Sequence, residues 1–354
     1  MPPHRVGPFE ILSVIGRGGV GTVYRARRAG SRAHVAVKVL GPAPAVDATA
    51  ARRLAREYEV LRTLDHPNVI RVYEAGVAEG YSYLAMELVE GLDLRTYLSP
   101  AVDEGARSLA CTVETAPDNG LSGSTGEPGP DAIRALAAMM DEPETEEACF
   151  SGPCPEGLGP GPACPPPPPL APDALDALNR PARIARLRAA LAEVADALRY
   201  VHGRGLVHRD LKPSNIMVDD ARHARLMDFG LVKWVAEADE PLTQAGRIVG
   251  TYRYMSPEQA QGQGVDGRSD LYSLGVILYE LLAGLPPFAA HDPMELWREI
   301  LHVRPRPVEE LNRGADPALG ALAMRLLEKD PARRCQSADE VLAILASSAP
   351  TLRR

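Results

Sequence analysis

The segment His208-Arg-Asp-Leu-Lys-Pro-Ser-Asn215 decides the reading of this chain. Within eight residues it carries a carboxylate (Asp210), a cation (Lys212) and an amide (Asn215). A carboxylate can accept or orient a hydroxyl proton, and an amide carbonyl can ligate a hard cation. A lysine between them can neutralise a moving phosphoryl group. A second carboxylate, Asp228 of Asp228-Phe-Gly230, follows thirteen residues after Asn215. Phosphoryl transfer asks a protein mainly for positioning and charge neutralisation, and this set of groups suits that task.

Toward the N-terminus, Gly16-Arg-Gly18-Gly-Val-Gly21 lies between two strand-like runs, FEILSVIG and TVYRARR. Glycines let backbone N–H groups approach phosphates without side-chain obstruction. The same spacing occurs in dinucleotide-binding folds, where it leads into a helix. Here it leads into a strand, although a plain glycine hairpin would look similar. Val35-Ala-Val-Lys38 follows on the next strand. A lysine on an apolar strand is costly unless paired. Glu57 shares the helical stripe of Leu54 and Leu61 and can supply the partner, whereas Glu59 falls on another face. Lysine is scarce in this chain, occurring only at 38, 212, 233 and 329 among 39 basic residues. A retained lysine therefore points to a role for a compact point charge that arginine does not fill.

Residues 9–91 read as a small β-rich unit with one helix over 47–64, and the chain beyond 181 reads as mainly helical. The run ARIARLRAALAEVADALRYVHGRG predicts a long amphipathic helix ending at glycine. Between the two parts, SGPCPEGLGPGPACPPPPPLAPD and DEPETEE have too little apolar surface to fold alone, apart from a short helix expected over 131–140. Cysteines 111, 149, 154 and 164 fall in this stretch without the paired knuckles of structural zinc, so all five cysteines read as thiols. A net charge of −8 without a basic face argues against nucleic acid. The most apolar run, Leu271 to Leu285, is shorter than a membrane span and contains Glu280, which predicts a buried core helix and no membrane partner. The N-terminus shows no apolar leader, and a cytoplasmic location is expected.

Taken in order, the glycine loop, VAVK, the helix glutamate, HRDLKPSN, DFG and GTYRYMSPEQA make the chain resemble the bacterial, eukaryotic-like serine/threonine protein kinases. The resemblance covers residues 7–98 and about 181–346. It implies the two-lobed α+β protein kinase fold, with a small antiparallel β lobe holding one helix and a large, mainly helical lobe. The small lobe, hinge and following helix would occupy 1–98, the Pro/Gly-rich insertion 99–180, and the large lobe 181–354. It further implies ATP and Mg2+ as cofactors and protein substrates as partners. Residue by residue, Ile15, Gly16, Gly18, Gly21 and Val23 would cover the nucleotide, with Val23, Ala36 and Met217 around the adenine. Lys38 would hold phosphates and pair with Glu57. Glu87 to Val89, following Met86, would form the hinge, and Asp93 would meet the ribose. Asp210 would be the base, Lys212 the γ-phosphate contact, and Asn215 and Asp228 the metal ligands. Asp270 would anchor the loop, and Arg334 would pair with Glu258. Lys212 and Thr251 favour serine/threonine over tyrosine. SPE at 256–258 stands where the family has APE. Arg209 would meet a phosphate on Thr243. A pseudokinase scaffold and a small-molecule kinase are the rival readings; the complete motif set opposes the first, and the DFG-to-SPE segment opposes the second.

Overall fold

The computed structural model describes residues 4–18, 21–39, 58, 61–78, 81–99, 170–228, 252–290 and 292–347. The expectations for Glu57, for the 131–140 helix and for Thr243 lie outside these residues.

Six strands form one antiparallel sheet: β1 (Arg5–Val6), β2 (Phe9–Gly18), β3 (Gly21–Arg28), β4 (His34–Val39), β5 (Val72–Ala78) and β6 (Tyr81–Glu87). Their order is β1-β2-β3-β4-β6-β5. Pairing of β2 with β3 runs up to Gly18 opposite Gly21, so the glycine motif leads from one antiparallel strand into the next, as its strand-to-strand context predicts. Alternation along β4 sorts its side chains. Val37 and Val39 join Val6, Phe9, Tyr24, Ala26, Tyr83 and Ala85 in an outer core, while Ala36 belongs to the main core on the other face.

The chain then forms β7 (Gly91–Asp93) and a short helix α1 (Leu94–Tyr97). It reappears in α2 (Pro172–Leu178) and the long α3 (Pro181–His202), which turns its Leu187, Leu191, Val194 and Leu198 into the main core. β8 (Ile216–Asp219) and β9 (Ala224–Leu226) complete a second sheet in the order β7-β8-β9. The rest is helical: α4 (Pro257–Ala260), α5 (Gly267–Ala283), α6 (Pro293–His302), α7 (Val308–Leu311), α8 (Pro317–Leu326) and α9 (Ala338–Ser347). As its composition predicts, α5 is buried on nearly every side. Gly275 lets α8 approach, since a Cβ there would stand 2.6 Å from Leu326 Cβ. Gly284 ends α5 in the left-handed conformation, φ 73°.

Helix α2 falls within the span that composition groups with the insertion. Its own signals are local: proline and Asp173 in the first turn, and Leu178 buried. Averaging over the prolines at 165–169 hides them. Leu170 packs over Gly284, and α2 packs on α5. Arg183, 3% exposed, fixes this corner. Its Nε donates to Leu98 O (2.7 Å), one Nη to Leu178 O (2.9 Å) and the other to Leu281 O (2.8 Å). Burial, with Arg186 nearby, pushes the Arg183 pKa down to about 10, which leaves the guanidinium charged at neutral pH.

Candidate active site

The hydrogen bonds of the backbone shape the HRD loop before any side-chain chemistry begins. Asp270, 1% exposed in the first turn of α5, accepts the amides of His208 and Arg209, each at 2.8 Å. His202 Nε2 lies 2.8 Å from the same carboxylate. These bonds hold Arg209 at φ 64°, an unfavourable region for a non-glycine residue. His208 is buried, and burial keeps its imidazole below its usual pKa. As a neutral ring it donates from Nε2 to Met227 O (2.8 Å) and accepts the Asp210 amide at Nδ1 (3.3 Å), a tautomer assigned from its partners. The histidine thus joins the HRD loop to the residue preceding Asp228.

On this frame the reactive groups converge. Lys212 Nζ is 2.9 Å from Asp210 Oδ2. Asn215 Nδ2 donates to Asp210 O (2.8 Å) and Oδ2 (3.1 Å), and more weakly to Asp228 O (3.4 Å). Asp228 is held at φ 49° and places Oδ1 3.1 Å from Lys38 Nζ. Lys38 therefore meets Asp228 directly. With its amide nitrogen turned to Asp210, Asn215 has no partner for its carbonyl oxygen among the described residues, nor has Asp228 for Oδ2. Two oxygen donors of this kind fit a hard divalent cation.

Register defines the wall above them. Val23 stands opposite Lys38, and Met86, buried, stands opposite Ala36. Ile15 is exposed beside the Gly16–Val23 pair, where β2 shifts register. Glu87 donates its amide to Arg71 O (2.9 Å), accepts the Arg71 amide on its carboxylate (3.3 Å) and lies 4.0 Å from Arg225. After Val89 the chain enters β7, whose Asp93 pairs with Met217 of β8. The Asp93 carboxylate caps α1, accepting from the amides of Arg95 (3.0 Å) and Thr96 (3.1 Å) and from the Thr96 hydroxyl (2.6 Å). Of the residues singled out in the sequence, Lys38, Asp210, Lys212, Asn215 and Asp228 are joined by direct contacts, while Glu57, Thr243 and Thr251 lie outside the described residues.

The cap that Ser256 forms and the tie that Gln259 makes to the HRD loop escaped the sequence reading. Ser256 does more than replace an alanine. It caps α4 in a reciprocal box, its Oγ accepting from Gln259 N (3.3 Å) while Gln259 Oε1 accepts from Ser256 N (3.0 Å). Gln259 Nε2 then donates to Arg209 O (2.9 Å), tying this segment to the HRD loop. The Ser-x-x-Gln spacing was the available signal. Nearby, Arg334 binds Glu258 through two hydrogen bonds of 2.7 Å, and Ser269 Oγ adds a third of 2.6 Å. Burial alone would raise the Glu258 carboxyl, but Arg334 and Ser269 hold it below its ordinary value.

Comparison with known proteins agrees with this geometry. Residues 9–342 match the model of the protein tyrosine and serine/threonine kinase family, and the chain belongs to that family. The architecture is the two-lobed protein kinase fold. Among relatives, the serine/threonine-protein kinase PknB of Mycolicibacterium smegmatis is 31% identical over 350 residues, covering 97% of this chain and 43% of the relative. A probable serine/threonine-protein kinase of Streptomyces coelicolor, SCO3848, is 30% identical over 346 residues, 96% of this chain and 40% of its own. The chain thus spans less than half the length of these relatives. The kinase domain of Mycobacterium tuberculosis PknI superimposes with a TM-score of 0.57 at 23% identity, covering 98% of this chain and 97% of that one. Among the described residues, no helix is long and apolar enough to cross a membrane.

Proposed function

We propose that this chain transfers the γ-phosphoryl group of ATP to serine or threonine hydroxyls of proteins. The observation that carries the proposal is the single network joining Asp210, Lys212 and Asn215 to the Lys38–Asp228 pair. In the reaction the acceptor oxygen forms a bond to the γ-phosphorus, the bond to the β,γ-bridging oxygen breaks, and ADP and the hydroxyl proton leave. Asp210 orients the hydroxyl and receives its proton. Lys212 offsets charge on the transferred group and orients the Asp210 carboxylate it touches. Lys38, steadied by Asp228, holds the α- and β-phosphates, and Glu57 is its further candidate partner. Asn215 and Asp228 would hold the divalent cation, magnesium, which neutralises phosphate charge when bound. The glycine hairpin with Ile15 and Val23 covers the nucleotide, Ala36 and Met217 bracket the base, Glu87 to Val89 present backbone groups to it, and Asp93 faces the ribose. The serine/threonine preference is supported by Lys212 and by the likeness to relatives named serine/threonine-protein kinases.

The test is incubation with labelled ATP, magnesium and a generic protein substrate, followed by phosphoamino-acid analysis. Label on serine and threonine is expected, and its loss in Asp210→Asn by a factor of at least about a hundred, the usual scale for removing an acid–base group. A folded wild type that labels no protein would contradict the proposal, as would full activity in the variant.

A further inference from the structure

A second charged cluster stands beside the HRD loop and takes no part in the network above. Helix α1 packs on the turn at 213–215 within the HRD loop. From α1, Arg95 reaches across to α5, placing Nη2 2.6 Å from Glu280 Oε1 and donating to the Tyr254 hydroxyl at 2.7 Å. That hydroxyl donates in turn to Glu280 Oε2 at 2.8 Å. Tyr254 belongs to the segment that Gln259 ties to Arg209 O, and its own carbonyl accepts Ser273 Oγ at 2.7 Å. The triangle therefore bridges two walls that both touch the loop carrying Asp210. Exposure within it is unequal: 59% for the Arg95 side chain and 17% for Glu280.

We propose that Arg95 determines peptide selectivity by occupying the Glu280 carboxylate, closing to basic side chains a subsite that Glu280 and Tyr254 would otherwise offer them. The inference rests on the protein-kinase reading given above. A partly buried carboxylate beside a phenol oxygen is a receptor for a guanidinium or ammonium group. Both walls that this triangle joins touch the loop carrying Asp210, so a peptide presenting its hydroxyl there would run beside them. Here the receptor is filled from within the chain, and a tethered group competes at an effective concentration on the order of millimolar. An incoming cation also meets the solvent-facing edge of Arg95, 59% exposed. Arg95 has little else to do. Asp93 already caps α1, and Leu94 already buries it. A half-exposed ion pair of this kind adds little to stability.

The experiment compares kcat/KM on matched peptides that carry arginine or alanine at each position around the phosphoacceptor. The wild type is expected to gain nothing from arginine. Arg95→Ala and Arg95→Gln should each gain about tenfold for arginine at one position, the scale of one charge-assisted hydrogen bond. Arg95→Gln keeps a hydrogen-bond donor and guards against a folding defect in the alanine variant. The gain should vanish when Glu280→Gln is added to either. Unchanged preference in both Arg95 variants, or a wild type that already favours arginine there, overturns the inference while leaving the kinase reading intact. A wild type that phosphorylates neither peptides nor generic protein overturns the kinase reading, and this inference with it.

Discussion

Torsion and charge at single residues carry most of the site. Arg209 and Asp228 both sit at positive φ, and both are held there by bonds to neighbouring segments. Such strain persists only where the surroundings over-determine it. Lys38→Met removes the amine from Asp228 while keeping the volume of the side chain. Turnover should fall below detection, with the melting temperature within a few degrees of wild type, since the methionine keeps the packing of the stem and both charged groups retain some contact with water, 17% and 29% exposed. Equal turnover would detach Lys38 from the chemistry. A different lysine shows what scarcity of that residue means elsewhere. Lys329 donates to Glu299 O (3.2 Å) and Ile300 O (2.5 Å) at the end of α6, with its amine 3.9 Å from the Phe288 ring centre. A compact ammonium fits this spot, where a planar fork would not. Burial, and then Arg334, push its pKa down to about 7. The folded value lies below the ordinary 10.5, so its contribution to stability is complete above that and is lost as pH falls through about 7. Melting temperatures of wild type minus Lys329→Met should therefore rise between pH 7 and 10; a flat difference would mean that the amine stays protonated throughout.

At the scale of elements, α4, α5 and the turn before α9 are joined by one buried guanidinium. Arg334 directs two donors to Glu258 and the others to the carbonyls of Arg268 (3.0 Å), Glu328 (2.7 Å) and Lys329 (3.0 Å). Arg334→Ala leaves the Glu258 carboxylate buried without its cation, at a cost of about 3–5 kcal/mol. Because the folded Glu258 carboxyl lies below its ordinary value, the contribution of the pair is whole above about pH 4.5 and is lost as pH falls through the folded value. Melting curves should therefore show wild type and variant far apart at pH 7 and converging in acid. A constant gap would detach the effect from Glu258. The pair was legible in the sequence because SPE and KDPARR are recognisable strings, as were HRDLKPSN and DFG, where chemistry restricts residue type. Arg183 and Arg95 were not, because their partners are distant carbonyls or a glutamate 185 residues away. Arg183 did leave a trace. It shares a helical stripe with Leu187, Ala190 and Val194, and of the arginines at 183, 186 and 188 only it is fully turned inward. The strands of the six-stranded sheet and the helix at 181–202 were legible from residue pattern, whereas the short strands β8 and β9 fall in a stretch read only as mainly helical, and four-residue helices such as α1 and α4 are too short to show a period and form through their caps.

For the whole molecule, the corner at Arg183 separates what the fold needs from what it carries. Removing 105–168 and bridging the ends should keep both melting temperature and autophosphorylation close to wild type, because loop length costs little. Extending the deletion through 178 removes Leu170 and α2 from the end of α5 and takes a carbonyl from buried Arg183, and a drop of several degrees is expected. Scanning calorimetry of the two deletions checks this, and equal stability would make α2 dispensable. The same corner has a consequence for chain continuity. One guanidinium grips Leu98 O and Leu178 O together, so the two sides of the insertion stand within a few ångströms of each other. Residues up to 99 and residues from 170 onward are also joined by the β7–β8 ladder, by Asn68 Nδ2 to Ala224 O (2.9 Å) and by Asp65 N to Tyr200 (2.7 Å). A protease that cuts once between 105 and 168 should therefore leave two fragments travelling as one particle in native gel filtration, parting only when denaturant is added.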